Sequence, residues 1–181
     1  KAMIKYEHSE SSFFESNKNY CLKIEEQFKD KNINYSGFCN EYGYEIQSGW
    51  QMRDYKFHIK IKKDQSTQNG VILPVDALQQ TFNTLKMDGI DKSICLRTGK
   101  SALKRFFMKF LYKSVFPTPI YIFTKQKPEA DVLSEMSELI SANNILKLNV
   151  SGGKLFLTAT AEIKEPLKLI ETLERIISGW H

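Results

Sequence analysis

The chain of 181 residues has no long hydrophobic run and only three cysteines. No apolar stretch approaches the roughly 18 residues that cross a bilayer, so we expect these residues to form a soluble unit. Cys21, Cys39 and Cys95 are odd in number and lack a C-x-x-C spacing. This disfavours a disulfide framework and a structural zinc site, and it favours a reducing compartment such as the cytoplasm. The 41% hydrophobic and 26% charged fractions exclude a disordered, collagen-like or coiled-coil chain.

Complete catalytic motifs are also absent. Gly99-Lys100-Ser101 resembles the end of a phosphate-binding loop, but Ile94 stands where that loop needs its first glycine. The same triplet fails as a nucleophile elbow because Leu103 occupies the final glycine position. We interpret the triplet as the end of a strand followed by a helix cap at Ser101.

The histidines and the paired acidic residues do not form a recognisable catalytic or metal-binding pattern in the sequence either. His58 stands between Lys56 and Lys60 with no carboxylate beside it, so it is predicted to be a surface residue. Glu135 with Glu138 and Glu171 with Glu174 are spaced so that both carboxylates of each pair lie on one side of a helix, as a metal or acid–base pair would need. Opposite charges at Lys168, Glu171 and Arg175 are spaced three and four residues apart, however, which predicts ordinary ion pairs on an exposed helix face. We therefore expect no catalytic residue, cofactor or metal ligand, and we expect the cysteines to be small buried hydrophobes.

The first third of the chain predicts a helix followed by antiparallel strands. Residues 1–32 form a polar segment in which Ser9 is expected to cap a helix that buries Phe14 and Phe28. From residue 33 the hydrophobic period changes to two, with short turns at 40–43 and 51–54. This pattern is typical of a three-stranded meander that ends near Lys62.

The last sixty residues predict the order strand, helix, hairpin, helix. The strand is Ile120–Thr124, and Pro128 is expected to open the helix that follows. Ser151–Lys154 has the sequence of a tight hairpin turn, and a final helix is expected from Pro166 to Gly179. The predicted fold is α+β, an antiparallel meander plus a β-α-β-β-α C-terminal unit with helices packed on a mixed or antiparallel sheet.

Two further helices are predicted in the middle of the chain. Asp76 and Gln79 resemble a capping box, which indicates a helix that ends at Gly89. Ser93–Arg97 is predicted to be a short strand and 101–114 a second helix. Residues 33–181 would then form one α+β domain, with a candidate internal boundary at 64–70.

Charge is distributed unevenly along the sequence. Between Asp91 and Glu129 there is no acidic residue and there are nine basic ones, whereas the rest of the chain carries 17 basic and 21 acidic residues. The net charge of +5 therefore comes from this one block. Lysine outnumbers arginine by 22 to 4, which favours diffuse attraction to anions over base-specific recognition.

The helix predicted within this block has a phenylalanine-rich core face and a cationic face. Met108 and Tyr112 fall among the lysines rather than among the phenylalanines, as in a surface that contacts an anionic, partly apolar partner. The other interpretation is a solvated charged face on which the 116–119 segment covers both residues. The candidate contact residues are Arg97, Lys100, Lys104, Arg105, Met108, Lys109, Tyr112 and Lys113.

The order of elements carries a resemblance. The run from Tyr35 through the Trp50–Lys62 hairpin precedes the stretch PTPIYIFTKQKPEADVLSEM, the Asn149–Ala159 glycine-turn hairpin and a closing helix. Across residues 33–178 this resembles the soluble part of uncharacterised bacterial proteins that carry a transmembrane hairpin upstream. The resemblance implies a membrane-tethered domain with no catalytic residues to carry over. Because the sequence starts at Lys1, we expect it to be a piece of a longer chain.

Three functions stay open at this point. The first is a non-enzymatic domain whose basic helix faces an anionic membrane surface or an acidic protein. The second is non-specific nucleic-acid binding. The third is a small-molecule or catalytic site formed by residues that are distant in sequence.

Overall fold

A computed structural model describes residues 3–53, 55–65, 79–90, 96–99, 121–124, 130–142, 145–159 and 163–179. The predicted helix over 101–114, the position of Pro128 and the environment of Cys95 lie outside these residues. The described helices and strands are β1 (Met3–Tyr6), α1 (Ser12–Asp30), β2 (Tyr35–Asn40), β3 (Gly43–Met52), β4 (Tyr55–Gln65), β5 (Gln79–Asp88), β6 (Leu96–Gly99), β7 (Tyr121–Thr124), α2 (Ala130–Ala142), β8 (Ile145–Ser151), β9 (Lys154–Ala159) and α3 (Pro166–Ser178).

The nine described strands form one sheet in the order β1-β2-β3-β4-β5-β9-β8-β6-β7. β1 pairs parallel with β2, and the other described pairs are antiparallel. β5 pairs with β4 on one side and with β9 on the other, which joins the meander and the C-terminal hairpin in one sheet. The predicted α+β class is confirmed.

One face of this sheet is buried and the other is open to solvent. The period of two places Tyr44, Ile59, Leu85 and Leu157 on the buried face. The helices cover that face: α1 contacts β1, β2 and β3, and α2 contacts β8 and α3. Apolar side chains from both layers therefore form the core between the helices and the sheet.

The contacts of Tyr20 tie α1 to distant parts of the chain. Its ring stacks on the ring of Tyr44 with 4.7 Å between centroids, and its hydroxyl donates a 2.7 Å hydrogen bond to the carbonyl of Ile163. The first contact fixes α1 against the sheet, and the second fixes it beside the segment that enters α3. None of the described helices combines the length and the apolar character needed to cross a bilayer.

Most strand and helix predictions within the described residues are confirmed. The meander turns where expected, and the β8–β9 hairpin turns at Gly152 and Gly153, whose φ values of +61° and +79° are those of a type I′ turn. Pro166 lies at the start of α3, and Gly179 caps its end. These elements are predictable because their period, turn residues and caps are local in sequence.

The helix predicted from Asp76 to Gly89 is wrong over Gln79–Asp88, which form β5. Leu85 and Met87 alternate with Thr84 and Lys86, and both apolar residues are buried. Because β5 lies between two other strands, its backbone groups hydrogen-bond on both sides. This pairing outweighs the helical spacing of Phe82 and Leu85, since tertiary context overrides a weak local preference.

Two smaller predictions are also wrong. α1 is capped by Ser11, whose hydroxyl accepts a hydrogen bond from the Phe13 N–H at 3.2 Å, whereas the Ser9 hydroxyl donates to Glu41. Glu174, expected on an exposed face, is 5% exposed. It accepts a 2.9 Å hydrogen bond from Arg53 in the β3–β4 turn, and this ion pair makes burial of the carboxylate tolerable.

Candidate anion-binding face

The residues predicted to form the contact surface fall almost entirely outside the described part of the chain. Lys100, Lys104, Arg105, Met108, Lys109, Tyr112 and Lys113 are all outside it. Arg97 lies in β6, where its backbone pairs with Asn149 of β8. The cationic helix face therefore stays a prediction.

The described residues contain a second basic surface, which we name the open face. It consists of the side chains that project from the side of the sheet opposite the helices, and each is exposed or partly exposed. Its members include Lys5, Ser36, Phe38, Glu45, Gln47, Gly49, Lys56, His58, Lys60, Lys62, Asp64, Lys86, Asp88, Asn149, Lys154 and Phe156.

Cations exceed anions on the described positions of the open face. Six lysines stand beside three carboxylates, and each carboxylate pairs with one lysine. The Nζ–carboxylate distances are 2.9 Å for Lys60 with Glu45, 2.7 Å for Lys62 with Asp64, and 3.7 Å for Lys154 with Asp88. The excess of three positive charges leaves the face attractive to anions.

Hydrogen bonding fixes the charge state at one end of this surface. Burial opposes ionisation of Glu45, but hydrogen bonds from Lys60 and Gln47 hold the pKa of Glu45 below its usual value. The hydrogen bond to Asp64 likewise raises the pKa of Lys62. Both shifts favour the charged forms of Glu45 and Lys62 and so strengthen the two ion pairs.

A cross-strand row runs through the middle of the open face. Gly49 pairs with His58, His58 with Lys86, Lys86 with Phe156, and Phe156 with Asn149. Neighbouring strands lie about 4.8 Å apart, so these five residues form a continuous line. We name it the central row.

Ring surfaces and a cation alternate along the central row. The imidazole of His58 lies so close to Gly49 that a Cβ there would be 2.9 Å from Nδ1. The ammonium of Lys86 lies 5.8 Å from the ring centroid of Phe156. Phe156 itself is 44% exposed, although β9 is an interior strand of the sheet.

Four residues of the central row, Gly49, His58, Lys86 and Phe156, line an open groove of about 870 Å³. Its lining includes Lys60, Lys86, Asp88, Lys154 and Phe156. A groove of this size that combines ammonium groups with an exposed aromatic ring can hold an extended anionic chain with planar groups.

A cluster of titratable groups is buried on the opposite side of the sheet, between α1, β1 and β2. The Glu25 carboxylate accepts hydrogen bonds from the Tyr6 hydroxyl at 3.1 Å and the Ile4 N–H at 3.4 Å. Burial, with the nearby charge of Glu25, raises the pKa of Tyr6 and raises that of Tyr35 to about 12. The Glu25 contacts fix edge strand β1 to α1, which is a structural role.

The cysteines predicted to be small buried hydrophobes are buried where the structure describes them. Cys21 and Cys39 are both fully buried, and a hydrogen bond from Cys21 lowers the pKa of Cys39. No group of three or more His, Cys, Asp or Glu side chains within the described ranges is arranged to hold a metal ion.

The predicted ion pairs of α3 have different partners in the structure. Arg175 pairs with Glu135 of α2 at 3.1 Å, and Lys168 pairs with Glu165 at 3.3 Å. The pairing is thus partly between helices rather than along α3.

Sequence reasoning identified the lysine side of β4 but missed the central row. The alternation of Lys56, His58, Lys60 and Lys62 places them on one face, and the structure agrees. The sequence predicts a helix over Lys86, and no local signal indicates that this residue pairs with Phe156. No family model matches the chain, and comparisons with curated proteins and with solved structures give no match either.

Proposed function

We propose that this domain is a binding module for nucleic acid, without base-sequence specificity, and that the open face is its contact surface. The observation that carries the proposal is the central row, in which a lysine stands in register between exposed rings. Phosphates supply the charge that lysines attract, and bases supply the planar surfaces that rings contact. Nucleic acid is the common polymer that offers both at short, regular spacing.

The composition of the face supports binding without sequence specificity. The basic side chains that give the described open face its excess positive charge are lysines, which attract phosphate as mobile point charges. Sequence readout relies on rigid bidentate groups such as arginine. We therefore expect moderate affinity, strong dependence on salt, and little preference among base sequences.

An anionic membrane or an acidic protein remains the second candidate, and the acid-free block with Met108 and Tyr112 favours it. The open face favours nucleic acid over a lipid surface, because its exposed ring lies in a groove between charged side chains. A bilayer is contacted best by apolar groups that protrude.

The test is fluorescence anisotropy with a labelled 20-nucleotide strand over a salt series. For single strands the slope of log K against log salt is roughly −0.7 per phosphate neutralised. If three lysines engage phosphates, the slope is about −2. The double variant Lys56→Glu/Lys86→Glu should abolish binding at 0.1 M salt.

The matched control is Lys164→Glu/Lys168→Glu, which makes the same change in net charge at exposed positions on the helix side. It should leave binding within about twofold, because screening limits the effect of a distant charge. Equal loss in both double variants would mean that net charge alone governs binding, and would contradict the open-face proposal.

Vesicle sedimentation with anionic and neutral lipid separates the second candidate. The membrane hypothesis would replace the proposal if the native chain binds anionic vesicles but does not bind nucleic acid. In that case the triple variant Lys104→Glu/Arg105→Glu/Lys109→Glu should abolish binding to the vesicles.

A further inference from the structure

We propose that Phe156 is a stacking platform for an unpaired base and that Lys86 contacts the phosphate of the same nucleotide, so that the ligand is single-stranded. This inference rests on the proposed function and names the form of nucleic acid that the site accepts.

The first argument is the position of the ring. Phe156 lies on β9, which pairs with β5 on one side and β8 on the other. A residue held by hydrogen-bonded strands on both sides has a fixed backbone, so little freedom is lost when a ligand contacts it. A ring 44% exposed on such a strand is a preformed flat surface.

The second argument is the cation beside the ring. Lys86 stands directly opposite Phe156 in register, and its ammonium lies 5.8 Å from the ring centroid. The flexible stem of lysine lets the ammonium move from the ring edge to a phosphate when a base occupies the ring. Lys154 lies two residues from Phe156 on the same strand face, about 7 Å away. Its ammonium is shared with the Asp88 carboxylate at 3.7 Å, so it contributes less than Lys86 to binding the adjoining phosphate.

The third argument is the neighbour on the other side of Lys86. His58 is in register with Lys86, and Gly49 beyond it has no side chain. The imidazole and the Phe156 ring are two strands apart, about 9.5 Å. The lysine therefore stands between two exposed rings, an arrangement that suits successive unpaired bases along one strand.

Duplex nucleic acid cannot use this arrangement. In a duplex the base faces are stacked on one another, so a protein ring reaches them only after unpairing. The open face can attract a duplex through its phosphates, but the contribution of the rings is then lost. Single strands should bind more tightly than duplexes at equal salt.

The experiment compares four labelled or competing ligands: a thymidine 15-mer, the same length as an abasic strand, a 15-base-pair duplex, and inorganic polyphosphate. We expect the thymidine strand to bind at least fivefold more tightly than the other three. Phe156→Ala should weaken its binding roughly 5- to 100-fold, because stacking on an aromatic contributes on that scale. The same variant should leave polyphosphate and abasic-strand binding within about twofold.

Phe38→Ala is the matched control. Phe38 is 42% exposed on the same face, but it does not line the groove, and it lies in register between Lys5 and Glu45, whose opposite charges offset each other. It should change affinity for the thymidine strand by less than about twofold. Phe156→Tyr should retain binding, and a 2-aminopurine base in the strand should be quenched by the native chain and by Phe156→Tyr but not by Phe156→Ala.

The outcomes separate the two proposals. If none of the four ligands binds to the native chain at low salt, the proposed function fails, and this inference fails with it. If all four bind equally and Phe156→Ala changes none of them, the open face binds polyanions but the stacking inference is overturned. Circular dichroism of each variant checks whether the fold is retained. If Phe156→Ala does not fold, Phe156→Leu, which keeps an apolar side chain but no ring, should weaken thymidine-strand binding in its place, and unchanged binding would overturn the stacking inference.

Discussion

The ion pair between Arg53 and Glu174 links the β3–β4 turn to α3, and its removal gives a sharp test of how the sheet and helices are joined. The Glu174 side chain is 7% exposed, the Arg53 side chain is 75% exposed, and the two groups are 2.9 Å apart. Exposed ion pairs contribute about 0–1 kcal/mol, whereas breaking a fully buried pair costs about 3–5 kcal/mol. This pair is buried at one end only, so we expect Arg53→Ala to lower the free energy of unfolding by about 2 kcal/mol.

The backbone of Arg53 refines this prediction. Its φ of +51° is in the left-handed region, which costs about 1 kcal/mol for a residue with a Cβ. Arg53→Gly removes the ion pair and this strain together. It should therefore be about 0.5–1 kcal/mol more stable than Arg53→Ala.

Urea unfolding followed by circular dichroism measures these differences. The decisive control is Arg53→Ala in a Glu174→Gln background, where the carboxylate charge is already gone. There the substitution should cost no more than about 0.5 kcal/mol. An equal cost in both backgrounds would refute the reasoning, because Arg53 would then stabilise the chain without its partner.

Three further predictions concern a buried tyrosine and two glycines at which neighbouring strands pack closely. The unfolded chain loses the Tyr35 proton near pH 10 and the folded chain keeps it until about pH 12, so the free energy of unfolding should fall as pH rises from 10 to 12. Tyr35→Phe should reduce this fall without abolishing it, since the pKa of Tyr6 is raised as well, and pH-dependent urea unfolding would measure both. Gly37→Ala should destabilise the fold by about 1–3 kcal/mol, because its Cβ would collide with a backbone oxygen of the next strand. Gly49→Ala should cost well under about 1 kcal/mol in thermal unfolding, because its tight contacts are with the movable side chain of His58 and the backbone oxygen of Phe57 is at ordinary contact distance.

The elements that could be predicted from the sequence are those whose signals are local. The alternating lysines of β4, the two glycines of the β8–β9 turn, and Pro166 with Gly179 around α3 each specify a conformation within a few residues. β1 and β5 carried no such signal. β1 has four residues and is defined by its parallel pairing with β2, and β5 is defined by partners that are distant in the chain.

The candidate site likewise has one part with a local sequence signal and one part without it. The lysine face of β4 was predictable because its period is two. The central row was not, because Lys86 and Phe156 meet only through the register between β5 and β9. Register between distant strands depends on the packing of the whole core, and no short motif encodes it.

The measurement that tests the open-face account most directly is a two-dimensional ¹⁵N–¹H NMR titration of the chain with a thymidine 12-mer. The account predicts that the largest shift changes fall on the central row, at Gly49, His58, Lys86 and Phe156, and that amides of α2 and α3 change little. Shift changes confined to residues 97–113, or spread over the helix side, would contradict it.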